Sequence, residues 1–215
     1  MPFTITNGYC TLDDAKAALR LTDTQDDDRI ALAIDAASRQ IETECSRYFY
    51  QDAGTSVRKY VSNDPWLVEV DDISTAVGLI VATDAAGDGS FTTVWQALDY
   101  QLEPINNRME GEAGWPTTAI RAIRSLYFPV WGGISYPRPY TQALVEVTAQ
   151  WGWPAVPTAI RKACIVQAIA LFKADDVPFG ATPFAEIGIV RLRQAMHPTA
   201  ASLIEPYRLN EVLVA

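Results

Sequence analysis

The sequence predicts an α+β protein: a helical bundle formed by the N- and C-terminal segments, with an antiparallel β-rich module inserted between them. Three observations predict it. Apolar residues recur at helical spacing near both ends of the chain. Short β-branched and aromatic runs separated by turn signals fill the middle. A short N-terminal helix pair cannot bury its own apolar faces, so residues 9–50 are expected to pack against 156–206. The division that follows is 1–55 with 154–206 as the helical core, 56–153 as the inserted module and 207–215 as a tail.

The first helix is expected over about residues 12–20. Thr11 stands three residues before Asp14, close to a capping box, and Leu12, Ala15, Ala18 and Leu19 share a face. The second should run over about 25–47, with Thr24 as N-cap. Its first turn holds Asp26, Asp27 and Asp28, where the helix dipole favours negative charge. Ile30, Ile34, Ala37, Ile41 and Cys45 then recur at helical spacing, and Tyr48, Phe49 and Tyr50 should seat its end.

The acid run also invites a metal reading. Neighbouring helical residues point in different directions, and the helix start already accounts for three aspartates. The same holds for the single histidine: His197 precedes Pro198 near a helix boundary and reads as a surface residue rather than a ligand.

From 56 to 153 the pattern is strand and turn. The runs VRKYV, WLVEV, GLIVAT, FTTVWQ, YQLEP and ALVEVTAQW are β-rich. SNDP, DAAGDG, NNRMEGEAGWP and ISYPRPY punctuate them. TAIRAIRSLYF suits either period, and the preceding GWP favours a strand. Strands this short, so separated, suggest an antiparallel sheet or small barrel-like module.

Helical pattern returns at VPTAIRKACIVQAIALFKADD, with Pro157 at the entry and Thr158 as its cap. Ile160, Cys164, Gln167 and Leu171 form one stripe, and Ala163, Val166, Ala170, Ile165, Ile169 and Phe172 widen it nearly all round. A helix apolar on most faces is a central one. VPFGATPFAEIG reads as loop, IVRLRQAM as a short strand or helix, and PTAASLIEPY as a helical turn or two. YRLNEVLVA alternates loosely and reads as an extended tail suited to a sheet edge.

The totals exclude several functions. The 215 residues are 49% hydrophobic and 20% charged, enough for a proper core. Net charge is −9, and no basic patch marks a nucleic-acid binder. Residues 1–72 carry 14 acidic against 7 basic side chains, and 73–215 carry 12 against 10, so the N-terminal third is read as the acidic surface. Cys10, Cys45 and Cys164 are odd in number and far apart, which fits reduced, buried thiols in a cytosolic product. MPFTITNGYC lacks the basic and apolar regions of a signal peptide. Apolar stretches break well short of a membrane span.

Catalytic chemistry finds little footing. One histidine restricts any nucleophilic triad to His197, and GxSxG, P-loop and dinucleotide fingerprints are absent. No carboxylate pair stands out among the 26 acids. DAAGDGSFTTVW places Asp84, Asp88 and Gly89 as in a calcium loop, but Ala86 and Trp95 occupy ligand positions, so a strand-connecting turn is preferred. Trp151 and Trp153 are a candidate sugar-stacking platform, with packing between module and helix as the favoured reading. In FPVWGGISYPRPY, Pro129, Val130, Trp131, Gly132, Gly133 and Ile134 suggest a projecting contact loop.

YCTLDDAKAALRL, followed by DDDRIALAIDAASRQIETECSRYF, resembles the start of head-to-tail adaptor (connector) proteins of long-tailed bacteriophages. Ala36, Ala37, Ser38, Ile41, Glu42, Arg47 and Phe49 fit that outline. TAQWGWPAVPTAIRKACIVQAIALFKADDVPFG, with PYR near the end, resembles the larger adaptors that carry a β insert. The likeness is best over 145–208 and weakest through 56–140.

The resemblance implies a structural virion protein of the phage neck, without catalytic activity, cofactor or metal. It implies a ring of about twelve copies joining the capsid portal protein to a stopper or tail-completion protein. It also implies assembly in the host cytoplasm, no membrane contact, and a C-terminal segment that docks on the portal. That segment corresponds here to Tyr207, Arg208, Leu209, Asn210, Glu211, Val212, Leu213, Val214 and Ala215. DNA would pass without specific binding: about twelve copies at −9 each place on the order of a hundred negative charges around a lumen. The acidic N-terminal helices are the expected lumen-facing surface. Two alternatives remain: a head-completion/stopper or tail-completion protein, and a carbohydrate-binding module or small hydrolase on the β segment.

Overall fold

The computed structural model of the protein describes residues 3–109, 112–124, 126–130, 142–174 and 196–209. It is an α+β fold, and the chain divides into two compact units, 1–49 with 156–215, and 50–155.

The discontinuous unit is helical. α1 (Leu12–Leu19) opens on a full capping box: Asp14 N–H donates to Thr11 Oγ1 at 3.1 Å, and Thr11 N–H to Asp14 Oδ2 at 3.0 Å. It closes on Arg20 in the left-handed region, φ 59°. α2 (Asp27–Cys45) begins later than the sequence suggested. Thr24 is not its cap: Gln25 N–H is taken by Asp23 Oδ1 at 3.1 Å in a preceding turn, and Asp26 stands at the N-cap. Burial along α2 follows the expected stripe, with Ile30, Ile34, Ala37, Ile41 and Cys45 inside.

In α3 (Thr158–Ala174) the Pro157 carbonyl accepts Arg161 N–H at 2.9 Å, so Thr158 is the first residue inside the helix rather than its cap. α3 packs on α1, α2 and α4 (Pro198–Ile204), which makes it the centre of the unit. Small residues permit the α2–α3 approach: Ala37, Ser38, Ala163 and Cys164 are all fully buried, beside Ile34, Ile41 and Ile160. Burying each such isoleucine stabilises the fold by roughly 1.5–3 kcal/mol.

Polar side chains bind the helices at chosen points. Gln167 Nε2 donates to Gln40 Oε1 at 2.8 Å, and Gln167 Oε1 accepts His197 N–H at 2.8 Å. The exposed His197 caps α4, accepting Thr199 N–H through Nδ1 at 3.2 Å. Arg161 grips Asp14 with two hydrogen bonds, of 3.0 and 2.6 Å.

The second unit is built on an antiparallel sheet ordered β1-β8-β2-β7-β4. Its strands are β1 (Gln51–Tyr60), β2 (Leu67–Thr83), β3 (Thr93–Val94), β4 (Tyr100–Glu103), β5 (Arg108–Met109), β6 (Glu112–Ala113), β7 (Thr117–Ala122) and β8 (Val145–Gly152). WLVEV and GLIVAT, read as two strands, are halves of the continuous β2. The intervening DDISTAV holds no turn pair. It is absorbed by shifts of register against β7 and β8 instead.

TAIRA of the ambiguous segment is strand, as favoured. β3 pairs β2 off the main path, and β5–β6 form a separate small ladder within NNRMEGEA, which had read only as turn.

Pairing assigns the faces of the sheet. Arg58, Val147 and Val81 lie abreast, as do Tyr60, Val145 and Thr83. Their side holds the core, where Trp95 stacks on Phe128 at 4.4 Å and donates through Nε1 to Thr83 Oγ1 at 3.2 Å.

Arg161 holds the Asp14 carboxyl well below its ordinary value, at about 2. A depressed folded pKa contributes stability that is complete above the unfolded value near 4 and is lost as pH falls through about 2. The pair is partly exposed, which limits its worth to less than about 1 kcal/mol. Thermal unfolding followed from pH 5 to pH 2 should therefore show the wild type losing more stability than Asp14→Asn below about pH 4.

Candidate interaction surfaces

The three aspartates that open α2 diverge. Asp26 Oδ1 meets Arg29 Nη1 at 2.9 Å, Asp27 Oδ1 meets Lys16 Nζ at 2.6 Å, and Asp28 Oδ1 accepts Phe3 N–H at 2.9 Å. Each carboxylate has its own partner, and the run serves the helix start and its attachments. Asp84 is likewise engaged inside its own turn: its two carboxylate oxygens accept Gly87 N–H and Gly89 N–H, each at 2.7 Å. Asp88 is exposed, and hydrogen bonds from Ser90 hold its carboxyl below the usual range. Among the described residues no group of three or more His, Cys, Asp or Glu is placed to hold a metal ion.

The two tryptophans singled out as a stacking platform have no open face. Trp151 is 0% exposed, donates to Ser56 O at 3.0 Å and lies under the Arg58 guanidinium at 4.4 Å. Trp153 is 2% exposed, packs on Trp115 at 5.0 Å and donates to Asp72 Oδ2 at 2.9 Å. Both are core residues, which leaves the carbohydrate reading without its aromatics.

The described C-terminal residues, through Leu209, are firmly anchored on the helical unit. Tyr207 is buried edge-on against Phe49, at 5.9 Å and 81°. Phe49 is in turn edge-on to Tyr9, at 5.6 Å and 83°. The Tyr9 hydroxyl donates to Glu42 and accepts Phe49 N–H at 2.9 Å. Burial, then the Glu42 bond, push that phenol far above its ordinary pKa, so it stays a donor. Arg208 is half-buried and pairs with Glu44 at 3.0 Å. Leu209 N–H closes on the Cys45 carbonyl at 3.0 Å, while its side chain is 45% exposed. The sequence placed Tyr207 in an extended tail; the structure buries it against Phe49, and the next exposed residue after it is Leu209. Asn210, Glu211, Val212, Leu213, Val214 and Ala215 lie outside the described residues.

Of the expected contact loop, Pro129 is half-buried and Val130 is 38% exposed. Trp131, Gly132, Gly133 and Ile134 lie outside the described residues. Sequence reasoning did not anticipate an apolar row on the face of the sheet opposite its core. Val57, Thr148 and Ile80 lie abreast there, and Val94 joins them beside the Lys59–Glu146 ion pair. Val57, Ile80 and Val94 are each about half exposed. The alternation of VRKYV and GLIVAT carried the signal, but an apolar residue every second position does not say which face is covered.

Residues 9–84 match the family model described as phage gp6-like head-tail connector protein. The match crosses the boundary between units, from the segment before α1 to the end of β2. Among solved structures, the chain shares its fold with a protein in "Neck of empty GTA particle computed with C6 symmetry". That likeness has 16% identity and TM-score 0.54, and it covers 99% of this chain and 96% of the other. It shares it also with a chain of "Virion of native gene transfer agent (GTA) particle", at 16% identity, TM-score 0.52 and the same coverage. A third, in "Neck of native GTA particle computed with C12 symmetry", matches at 14% identity and TM-score 0.51. No curated protein matches the chain.

The connector match draws attention to how charge divides over the folded units. Unit 50–155 holds 12 acidic and 6 basic residues; the helical unit holds 14 and 11. Most of the excess acid therefore sits on the sheet-bearing unit, and a division of the sequence at residue 72 hides this.

Burial of the tryptophans has a direct consequence. Soluble oligosaccharides should leave the intrinsic tryptophan fluorescence unchanged. Trp153→Phe, which removes the donor to Asp72, should lower the unfolding free energy by about 1.5–3 kcal/mol in denaturant titration.

Proposed function

We propose that this protein is a non-enzymatic structural component of a virion neck, a connector that joins the capsid portal to the next neck or tail component. One observation carries the reading: neck-particle chains of known structure align with 99% of this chain and 96% of their own length. The connector family match over residues 9–84 supports it independently. In this reading the protein assembles as a ring of about twelve copies, a proposal consistent with the C6 and C12 symmetries named for those necks. The acidic balance suits a lumen through which DNA slides without being gripped.

Portal docking is assigned to the C-terminal segment from Leu209 onward. Tyr207 and Arg208 fix its point of departure, and the residues beyond supply the alternation suited to strand addition. Pro129 to Ile134 are assigned to contacts with the next neck component.

Mixing the protein with its cognate portal and imaging the products by electron microscopy tests this. A ring seated on the portal is the expected result. Deletion of residues 210–215 should abolish the complex while leaving the melting temperature unchanged. No association at any salt concentration would contradict the reading. A tagged copy found at the far end of the neck would favour the stopper or tail-completion alternative.

A further inference from the structure

Among the described residues, one pair of thiols plays no part in the neck reading. Cys10 immediately precedes the α1 cap, and Cys164 lies in the middle of α3. Their Sγ atoms are 3.4 Å apart, across a sequence separation of 154. Both are free thiols. Ser38 Oγ approaches Cys164 Sγ at 3.5 Å, so the two sulfurs meet at the point where α2, α3 and the N-terminal segment converge. Ser38 also accepts Tyr9 N–H at 3.1 Å, which holds the neighbouring residue of the Cys10 segment in register.

We propose that Cys10 and Cys164 form a latent disulfide site, whose oxidant is a small-molecule disulfide such as oxidised glutathione. The separation of the two sulfurs is the observation that carries this. A disulfide needs its sulfurs about 2.05 Å apart, little more than an ångström closer than they stand. Cys10 lies outside any helix, just before the α1 cap, so the closer approach asks for a small shift of a non-helical residue while Cys164 stays on α3.

Exchange proceeds in two balanced steps. The Cys10 thiolate, its proton lost to solvent, attacks one sulfur of oxidised glutathione and expels a glutathione thiolate. The Cys164 thiolate then attacks the Cys10 sulfur of that mixed disulfide and expels the second. Two protein thiols and one glutathione disulfide become one protein disulfide and two glutathione thiols, with two electrons transferred.

Access decides the order of attack. Cys10 is 5% exposed and Cys164 0%, so the entering disulfide reaches Cys10 first, when the N-terminal segment opens. Exchange is therefore slow and faster at alkaline pH, where more thiolate is present. Once formed, the bond ties the start of the chain to its central C-terminal helix. A closed loop this long constrains the unfolded chain strongly.

The test uses the full chain, incubated with oxidised glutathione at about pH 8, then alkylated under denaturing conditions and peptide-mapped by mass spectrometry. The expected product is one cross-link between the Cys10 and Cys164 peptides, with Cys45 alkylated. Its melting temperature should rise by roughly 5–15 °C and fall back on reduction with dithiothreitol. Cys45→Ser should give the same cross-link and the same rise. Alkylation of both Cys10 and Cys164 after prolonged oxidation would overturn the proposal. So would a glutathione adduct on Cys10 that is never resolved, a cross-link through Cys45, or a cross-linked protein no more stable than the reduced one.

Discussion

The packing of α2 on α3 is the constraint on which the rest of the fold depends. It joins residues from the first fifth of the chain to residues more than a hundred positions later. It is achieved with small side chains: Ala37 and Ser38 on one helix, Ala163 and Cys164 on the other, all without solvent exposure. Larger groups at those positions would separate the helices and uncover Ile34, Ile41 and Ile160. Loop-closure entropy grows only slowly with length, so a long insertion is tolerable. The insert also brings its own ends together: Trp153 N–H donates to Tyr50 O at 3.1 Å, so the sheet unit returns the chain near its point of departure.

Much of this was legible because it is local. The α1 capping box is written in Thr11 and Asp14, and the α2 stripe in the spacing of its isoleucines. The all-round apolarity of α3 predicts a central helix with several neighbours, and it packs on α1, α2 and α4. What failed depended on competition or on distance. Thr24 is a good cap by type, yet Asp23 organises the turn before the helix and moves its start. Strand runs were separated where the sequence is polar, but Asp72 is buried and bonded to Trp153, so DDISTAV continues β2. Tyr207 looked like tail because nothing in YRLNEVLVA announces that Phe49 awaits it. The meeting of Cys10 with Cys164 is a purely tertiary fact, invisible to any count of cysteine spacing.

The surfaces divide in the same way. Acidic groups that suggested chemistry are spent on structure: a helix start for the three aspartates, a tight turn for Asp84. The aromatics that suggested a ligand platform are the core of the sheet unit. Among what stays outside are the row of Val57, Ile80 and Val94, Leu209, and an excess of negative charge carried mostly by the unit of residues 50–155. A fixed interior with apolar and acidic groups outside it is compatible with the connector role proposed above.

Native-state hydrogen exchange tests the central packing most directly. If α2 and α3 form one core, the amides of residues 30–45 and 160–172 should exchange with a common opening free energy and respond together to denaturant. Protection that persists in 160–172 while 30–45 exchanges freely, at a separate opening energy, would contradict the account.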